Sequence, residues 1–314
     1  MTIDSAGKAF LGSLKDQGIK PFHQMSVTEA REVMGGLRKL LGPGPEMRSV
    51  KDVPLGANTP AKLRVLTPGD AIDGVIIYCH GGGWTVMDID DYDSLGRLIA
   101  LETNCSVVLV DYRKAPENPF PAALDDVWAA LQWATTEYAS RNSEMPVLIA
   151  GDSSGGNLAA VVAQMATSEK TLAITQQILI YPVTQPDLEG PCYLSAENQG
   201  FLGKQDMAWF WDNYCPNPQD RLKPEASPLL AEEFAGLPPA VLITAEHDVL
   251  RDEGEAYAHK LKEAGVEVVH QRFAGQMHGF FSLFSLFPES TRARAFVVNA
   301  IRNHLRGLPS KHSG

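Results

Sequence analysis

The 314-residue chain carries only four cysteines, Cys79, Cys105, Cys192 and Cys215. None forms a Cys-x-x-Cys pair and no zinc spacing occurs, so buried thiols are expected rather than a metal ribbon or a disulfide framework. Positive charge is also scarce: 27 Lys and Arg against 38 Asp and Glu leave a net charge of −11. A nucleic-acid surface needs clustered basic residues, so nucleic acid is excluded as a partner and the acidity reads as solubility. No apolar run approaches the roughly 18 residues of a membrane span, so none is expected. Residues 1–20 lack the basic-then-apolar pattern of a signal peptide, which makes a reducing cytoplasm the expected location. There is no internal repeat or low-complexity tract, and a hydrophobic content of 44% with 21% charged residues is ordinary for a folded domain.

What is present is an alternation. Ile3, Ala6, Phe10, Leu11 and Leu14 repeat at helical spacing, as do Val27, Ala30, Val33, Met34, Leu37, Leu40 and Leu41. The second run opens on Ser26 and Glu29, a capping-box pair, and stops at Gly42-Pro43-Gly44-Pro45. Strand patterns follow at 51–55, 61–66 and 75–78, then a helix near 94–102, a strand at 106–110 and a helix over about 121–138. Further strands read at 147–150, 177–181, 240–244 and 267–270, with helices after 156, over 253–264 and over about 291–306. Such a rhythm predicts parallel β-α-β units and a sheet covered on both faces. Residues 186–222 interrupt it, being rich in proline, glycine and aromatics such as Tyr193, Phe201, Trp209, Phe210, Trp211 and Tyr214. The expected organisation is a catalytic core over 46–185 and 223–314, with a cap made of 1–45 and 186–222.

The centre of this pattern is Gly151-Asp152-Ser153-Ser154-Gly155-Gly156, between the 147–150 strand and the next helix. Strand, Gly-x-Ser-x-Gly and helix together are the requirement for the nucleophile elbow of an α/β-hydrolase. The spacing does not supply the Gly-x-Gly-x-x-Gly of a dinucleotide fold. A serine hydroxyl needs a base to take its proton, and that base needs a carboxylate to orient it. In this fold the acid and then the histidine follow the serine, each at the end of a later strand. Asp248 follows the 240–244 strand by a short turn, and His278 sits in Gly275-Gln276-Met277-His278-Gly279 after the last strand.

Competing residues have simpler explanations. His23, His304 and His312 lie near the chain ends, His259 is inside a helix pattern and His270 within a strand. His247 adjoins Asp248, and His80 precedes a glycine run that it is expected to brace. Among the acids, Glu246 is a rival of Asp248, while Asp252 opens a helix and reads as a cap or a partner of the helix dipole. Asp152 adjoins Ser153 and is expected to anchor the turn. Asp88, Asp90, Asp91 and Asp93 lack the glycine and distal glutamate of a calcium loop, so they read as solvated acids before a helix and no metal is expected. Gly81-Gly82-Gly83 follows a buried strand, a place where backbone amides reach a developing oxyanion. Gly82, Gly83 and the amide of Ser154 are therefore candidate oxyanion donors. Trp84, Trp209, Phe210 and Phe280 are candidate walls of a substrate pocket.

His80-Gly81-Gly82-Gly83-Trp84, Asp111-Tyr112-Arg113, Ala115-Pro116-Glu117, the Gly151–Asn157 elbow, Asp248 to Gly254 and His278-Gly279-Phe280 together resemble the bacterial hormone-sensitive-lipase-like (family IV) esterases. The resemblance runs from about residue 75 to 281. It implies an α/β-hydrolase core with a mostly parallel sheet flanked by helices, a helical cap, no cofactor, and hydrolysis of short- to medium-chain acyl esters. It also implies Ser153, Asp248 and His278 as the triad, and a homodimer through the C-terminal strand and helix. Ser154, Lys114 and Asn118 depart from the family, which usually has Ala, Leu and His there; none is in the triad. Two other readings are an amidase or peptidase with the same triad, and a non-catalytic ligand-binding relative such as the plant gibberellin receptors, which lack the histidine that His278 supplies.

Overall fold

The structure is a computed structural model that describes residues 2–56, 59–140, 142, 144–170 and 172–308. Two helices come first, α1 (Ser5–Asp16) and α2 (Val27–Leu41). The Ser26 hydroxyl accepts the Glu29 amide while the Glu29 carboxylate accepts the Ser26 amide, the reciprocal cap read from the sequence and worth on the order of 1 kcal/mol. A three-residue turn, Phe22–Gln24, links the two helices.

Strands β1 (Ser49–Pro54) and β2 (Lys62–Thr67) form an antiparallel hairpin, and β2 pairs antiparallel with β4 (Cys105–Asp111). From β3 (Gly74–Cys79) onward the sheet is parallel: β4 and β5 (Val147–Asp152) flank β3, and β6 (Gln176–Ile180), β7 (Ala240–His247) and β8 (Val268–Met277) follow outward. The order is β1-β2-β4-β3-β5-β6-β7-β8. β3 and β5 are buried at every position, as unbroken apolar runs such as Val75-Ile76-Ile77 require of strands covered on both faces. Parallel pairing carries the C-terminal ends of β3, β5, β7 and β8 to one edge of the sheet.

Helices α3 (Ile89–Thr103), α4 (Ala122–Ala139), α5 (Ser154–Glu169), α6 (Pro191–Leu194), α7 (Lys204–Tyr214), α8 (Arg251–Glu263) and α9 (Glu289–Gly307) complete the elements. α3 begins five residues earlier than its apolar pattern indicated, because Asp88 and Asp91 form a capping box. The acidic cluster is thus not a solvated stretch before a helix. Asp88 caps it, Asp90, Asp91 and Asp93 lie inside it, and Asp91 is buried against Arg38 at 2.8 Å. Arg64 pairs with Asp90 at 2.7 Å and with Asp93 at 3.3 Å. β8 runs seven residues past the expected end at 270, so His278 directly follows it. All four cysteines are buried and unbridged.

The N-terminal arm and the 186–222 segment pack on each other. Phe10 and Phe22 meet Phe201 edge-on at centroid distances of 5.4 and 5.7 Å, and Phe22 meets Phe210 at 5.1 Å.

Candidate active site

β5 ends at Asp152 and α5 starts at Ser154, leaving Ser153 to make the whole turn at φ 56 and ψ −120. A side-chain-bearing residue rarely adopts that conformation, at a cost of roughly 1–3 kcal/mol. Surrounding hydrogen bonds hold it there: its amide donates to the Ile180 carbonyl at 2.9 Å, and its carbonyl accepts from Asn157 at 3.0 Å and Val183 at 3.2 Å. Gly155 is required by proximity, since a Cβ would collide with the Cys79 and His80 carbonyls of the neighbouring strand end.

Ser153 Oγ lies 3.0 Å from His278 Nε2, and His278 Nδ1 lies 2.8 Å from Asp248 Oδ2. Because a carboxylate only accepts, Nδ1 donates to Asp248, and in that tautomer Nε2 is free to accept from the serine hydroxyl. The second oxygen of Asp248 accepts the Leu250 amide at 2.9 Å, which fixes the carboxylate plane. Tyr181 packs its ring against His278 with centroids 4.6 Å apart. The three residues come from the ends of β5, β7 and β8 and meet at one edge of the sheet. The rival groups are engaged elsewhere: Glu246 accepts the Gly275 amide at 2.7 Å, and Asp252 accepts the Cys192 amide at 3.1 Å. His23 bonds Asp206, His259 pairs with Glu263, and His270 contacts Thr244. His312 lies outside the described residues.

The glycine loop after β3 is shaped by His80. Burial pushes its imidazole down to about 3, so the ring is neutral. Nδ1 donates to the Gly81 carbonyl at 2.7 Å, and the ring stacks on Tyr112 at 4.2 Å. The Gly82 carbonyl in turn accepts the Thr85 and Val86 amides at 3.0 and 2.9 Å. In a trans peptide the N–H points opposite to the preceding C=O. With both carbonyls committed, the amides of Gly82 and Gly83 face away from those partners. Both glycines, with Ser153 and His278, line one cavity, and both have positive φ, 107 and 57. The Ser154 amide opens α5, where helical geometry leaves it without an intrahelical acceptor.

Asp152 ties this loop to the elbow. Its Oδ1 accepts the Gly81 amide at 3.1 Å and the Tyr78 hydroxyl at 3.2 Å, and its Oδ2 accepts the Tyr92 hydroxyl at 2.7 Å. The carboxyl is buried, and desolvation raises it to about 6 despite the opposing tyrosine bonds and the nearby His278. Tyr78 and Tyr92 were not signalled by the sequence, where nothing in their spacing links them to position 152.

The cavity over Ser153 measures about 50 Å³ and is mostly apolar, with Val86, Met87, Val183, Phe210 and Leu283 among its walls. Of the aromatic candidates, Phe210 lines it and Trp84, Trp209 and Phe280 do not. Trp84 turns inward and stacks on Tyr214 at 4.1 Å and 5°, fully buried. Phe280 is buried against Phe273 and Tyr181, and Trp209 packs edge-on behind Phe210. Phe22, Met34, Phe201 and Met207 also reach the cavity; they come from residues 1–45 and 186–222, where sequence spacing alone does not distinguish a pocket wall from core.

An imidazole bonded to a hydroxyl on one side and a buried carboxylate on the other is an arrangement for acyl transfer. A family model for the alpha/beta hydrolase fold matches residues 76–282, which spans every one of these groups. The chain belongs to the alpha/beta hydrolase family. Several of its relatives are carboxylic ester hydrolases, in keeping with the resemblance to the hormone-sensitive-lipase-like esterases. It is 38% identical over 244 residues to the carboxylic ester hydrolase LipN of Mycobacterium tuberculosis, a match covering 76% of this chain and 65% of that one. Identity to the ethyl acetate hydrolase of Pseudomonas putida is 33% over 296 residues, 91% of this chain and 93% of the other. A solved structure, a thermostable esterase from Pseudomonas putida ECU1011, superposes with a TM-score of 0.88 at 35% identity, covering 97% and 98% of the two chains. Among the described residues of this hydrolase, no helix is long and apolar enough to cross a membrane.

Proposed function

We propose that this hydrolase is a serine carboxylesterase that cleaves short- to medium-chain acyl esters through an acyl-enzyme. The observation that carries the reading is the unbroken relay from Ser153 Oγ through the His278 ring to Asp248, with contacts of 3.0 and 2.8 Å. In the first step Ser153 Oγ bonds to the ester carbonyl carbon while its proton passes to His278 Nε2. The carbonyl oxygen takes the negative charge, facing the amides of Gly82, Gly83 and Ser154. Collapse breaks the bond to the alkoxy oxygen, which leaves with the proton from His278. Water then repeats the sequence on the acyl-enzyme and releases the carboxylic acid. Asp248 holds the proton on Nδ1 and stabilises the imidazolium.

The small apolar cavity supports a short acyl group, and a relative named for ethyl acetate points the same way. We assign 46–185 and 223–314 to the catalytic core and 1–45 with 186–222 to the cap, supported by the Phe10, Phe22, Phe201 and Phe210 contacts across the two cap pieces. A homodimer through β8 and α9 is supported by β8 ending the sheet with Val269 exposed, and a reducing compartment by the four free thiols. The test is turnover of p-nitrophenyl butyrate by the purified protein and by Ser153→Ala. Loss of activity in the variant, with matched amides cleaved far more slowly by the wild type, supports the assignment; equal turnover by both proteins refutes it.

A further inference from the structure

Three phenylalanine rings form a roof over the nucleophile. At one end a Cβ on Gly279, next to His278, would touch Phe201 at 3.4 Å. At the other end the Phe210 ring sits where a Gly83 side chain would begin. Phe22 spans the two, 5.7 Å from Phe201 and 5.1 Å from Phe210 between ring centroids. All three line the catalytic cavity, so they separate Ser153 from the outside along this side.

Behind the roof lies a second space. A groove of about 520 Å³, roughly ten times the volume of the 50 Å³ cavity, runs under α1 and α2 and beside residues 199–206. Its floor is apolar, with Leu11, Leu14, Ile19, Val33 and Leu37, and its polar groups are Lys15, Lys20, His23, Gln199, Gln205 and Asp206. Phe22, Met34 and Phe201 belong to both spaces. The two are therefore neighbours across a wall one side chain thick.

The central ring of that wall stands on the three-residue turn between α1 and α2, held to α7 by a clasp. The His23 amide and His23 Nδ1 both meet Asp206 Oδ1, at 3.1 and 2.7 Å, while the other oxygen of Asp206 caps α7 through the Gly203 amide at 2.9 Å. A single carboxylate thus fixes the position of Phe22.

We propose that Phe22 is a gate between the catalytic cavity and this groove, and that the groove receives the saturated alkyl chain of longer esters when the ring moves aside. The inference rests on the esterase reading and adds to it the residue that limits chain length. An apolar trough one side chain away from the catalytic cavity suits a hydrocarbon chain, which gains by burial and asks for no hydrogen bonds. The chain can belong to the acyl or the alkoxy half, since the roof reaches from the Gly83 side to the His278 side.

The experiment measures kcat/KM for p-nitrophenyl acetate and decanoate, which place the chain on the acyl side, and for ethyl acetate and octyl acetate, which place it on the alkoxy side. In Phe22→Ala the long-to-short ratio is expected to rise at least tenfold on one arm, the arm identifying which half enters the groove. His23→Ala keeps the ring but removes the imidazole half of its clasp, leaving the backbone bond, and is expected to raise the same ratio about threefold. Adding Leu37→Trp to Phe22→Ala fills the groove and is expected to remove the gain while leaving acetate turnover in place. If Phe22→Ala fails to fold, Phe22→Leu carries the same comparison. An active enzyme whose ratios stay within twofold of wild type on both arms in these variants overturns the gate. A wild-type protein inactive on every ester would instead overturn the esterase reading.

Discussion

Asp152→Asn separates the charge of a buried carboxyl from its shape, and the two effects are read in different assays. The group sits 2% exposed beside the nucleophile and is raised by desolvation from its ordinary 3.8 to about 6. At 1.36 kcal/mol per pKa unit this difference corresponds to about 3 kcal/mol. Below about pH 3.8 both folded and unfolded chains hold the proton. As pH rises toward 6 the unfolded chain releases it first, so the folded state loses stability, and above 6 the full cost of an ionised buried carboxylate is present. Asn carries no such titration. The unfolding free energy of the wild type minus that of Asp152→Asn, from denaturant titrations, should therefore fall by about 3 kcal/mol between about pH 4 and pH 7. Glu253, which burial raises to about 8, is present in both proteins and cancels in the difference. The shape effect appears in catalysis. An amide offers one acceptor where the carboxylate offers two, so either Tyr92 loses its acceptor, or Tyr78 loses its own and the Gly81 amide keeps only the Tyr92 hydroxyl. Gly81 precedes Gly82 and Gly83, the proposed oxyanion donors, and a displacement there is expected to cost about tenfold to a hundredfold in kcat with KM little changed. A stability difference flat across this pH range, together with unchanged kcat, would refute the reasoning.

Other outcomes follow from the same geometry. Asp248→Asn is expected to keep the fold and lower kcat on p-nitrophenyl acetate by about 10⁴, because the amide no longer holds the proton on His278 Nδ1. Gly83→Ala drives its Cβ into the Phe210 ring at a positive φ, and should cost on the order of 10²-fold in kcat/KM, with partial recovery in Gly83→Ala/Phe210→Ala. The four buried thiols should release no thionitrobenzoate from Ellman's reagent in the native protein and four equivalents in denaturant.

The features legible in the sequence are those encoded locally. The elbow is a contiguous string whose glycines answer to backbone proximity, and Asp248 and His278 were legible because parallel strands deliver their ends to one edge. The cap of α2 was visible in Ser26 and Glu29, and the same three-residue spacing in Asp88 and Asp91 marked the true start of α3, although acidity there read as solvation. Trp84 followed a glycine loop and so suggested a pocket wall, yet a large ring at φ 56 swings into the core to stack on Tyr214, some 130 positions away. The roof over Ser153 has the same origin: Phe22 meets Phe201 and Phe210 only through folding of distant segments, and no spacing announces it. Asp152 was legible as an anchor, while its partners Tyr78 and Tyr92 required coordinates.

The central claim is that one hydroxyl on this chain is activated by one imidazole. It is tested most directly by covalent labelling with an ethoxy fluorophosphonate, followed by peptide mass spectrometry on the wild type, Ser153→Ala and His278→Ala. One adduct per chain is expected, located on Ser153, absent in Ser153→Ala and slowed at least a hundredfold in His278→Ala. Labelling at another residue, or at Ser153 with an undiminished rate after His278 is removed, would contradict it.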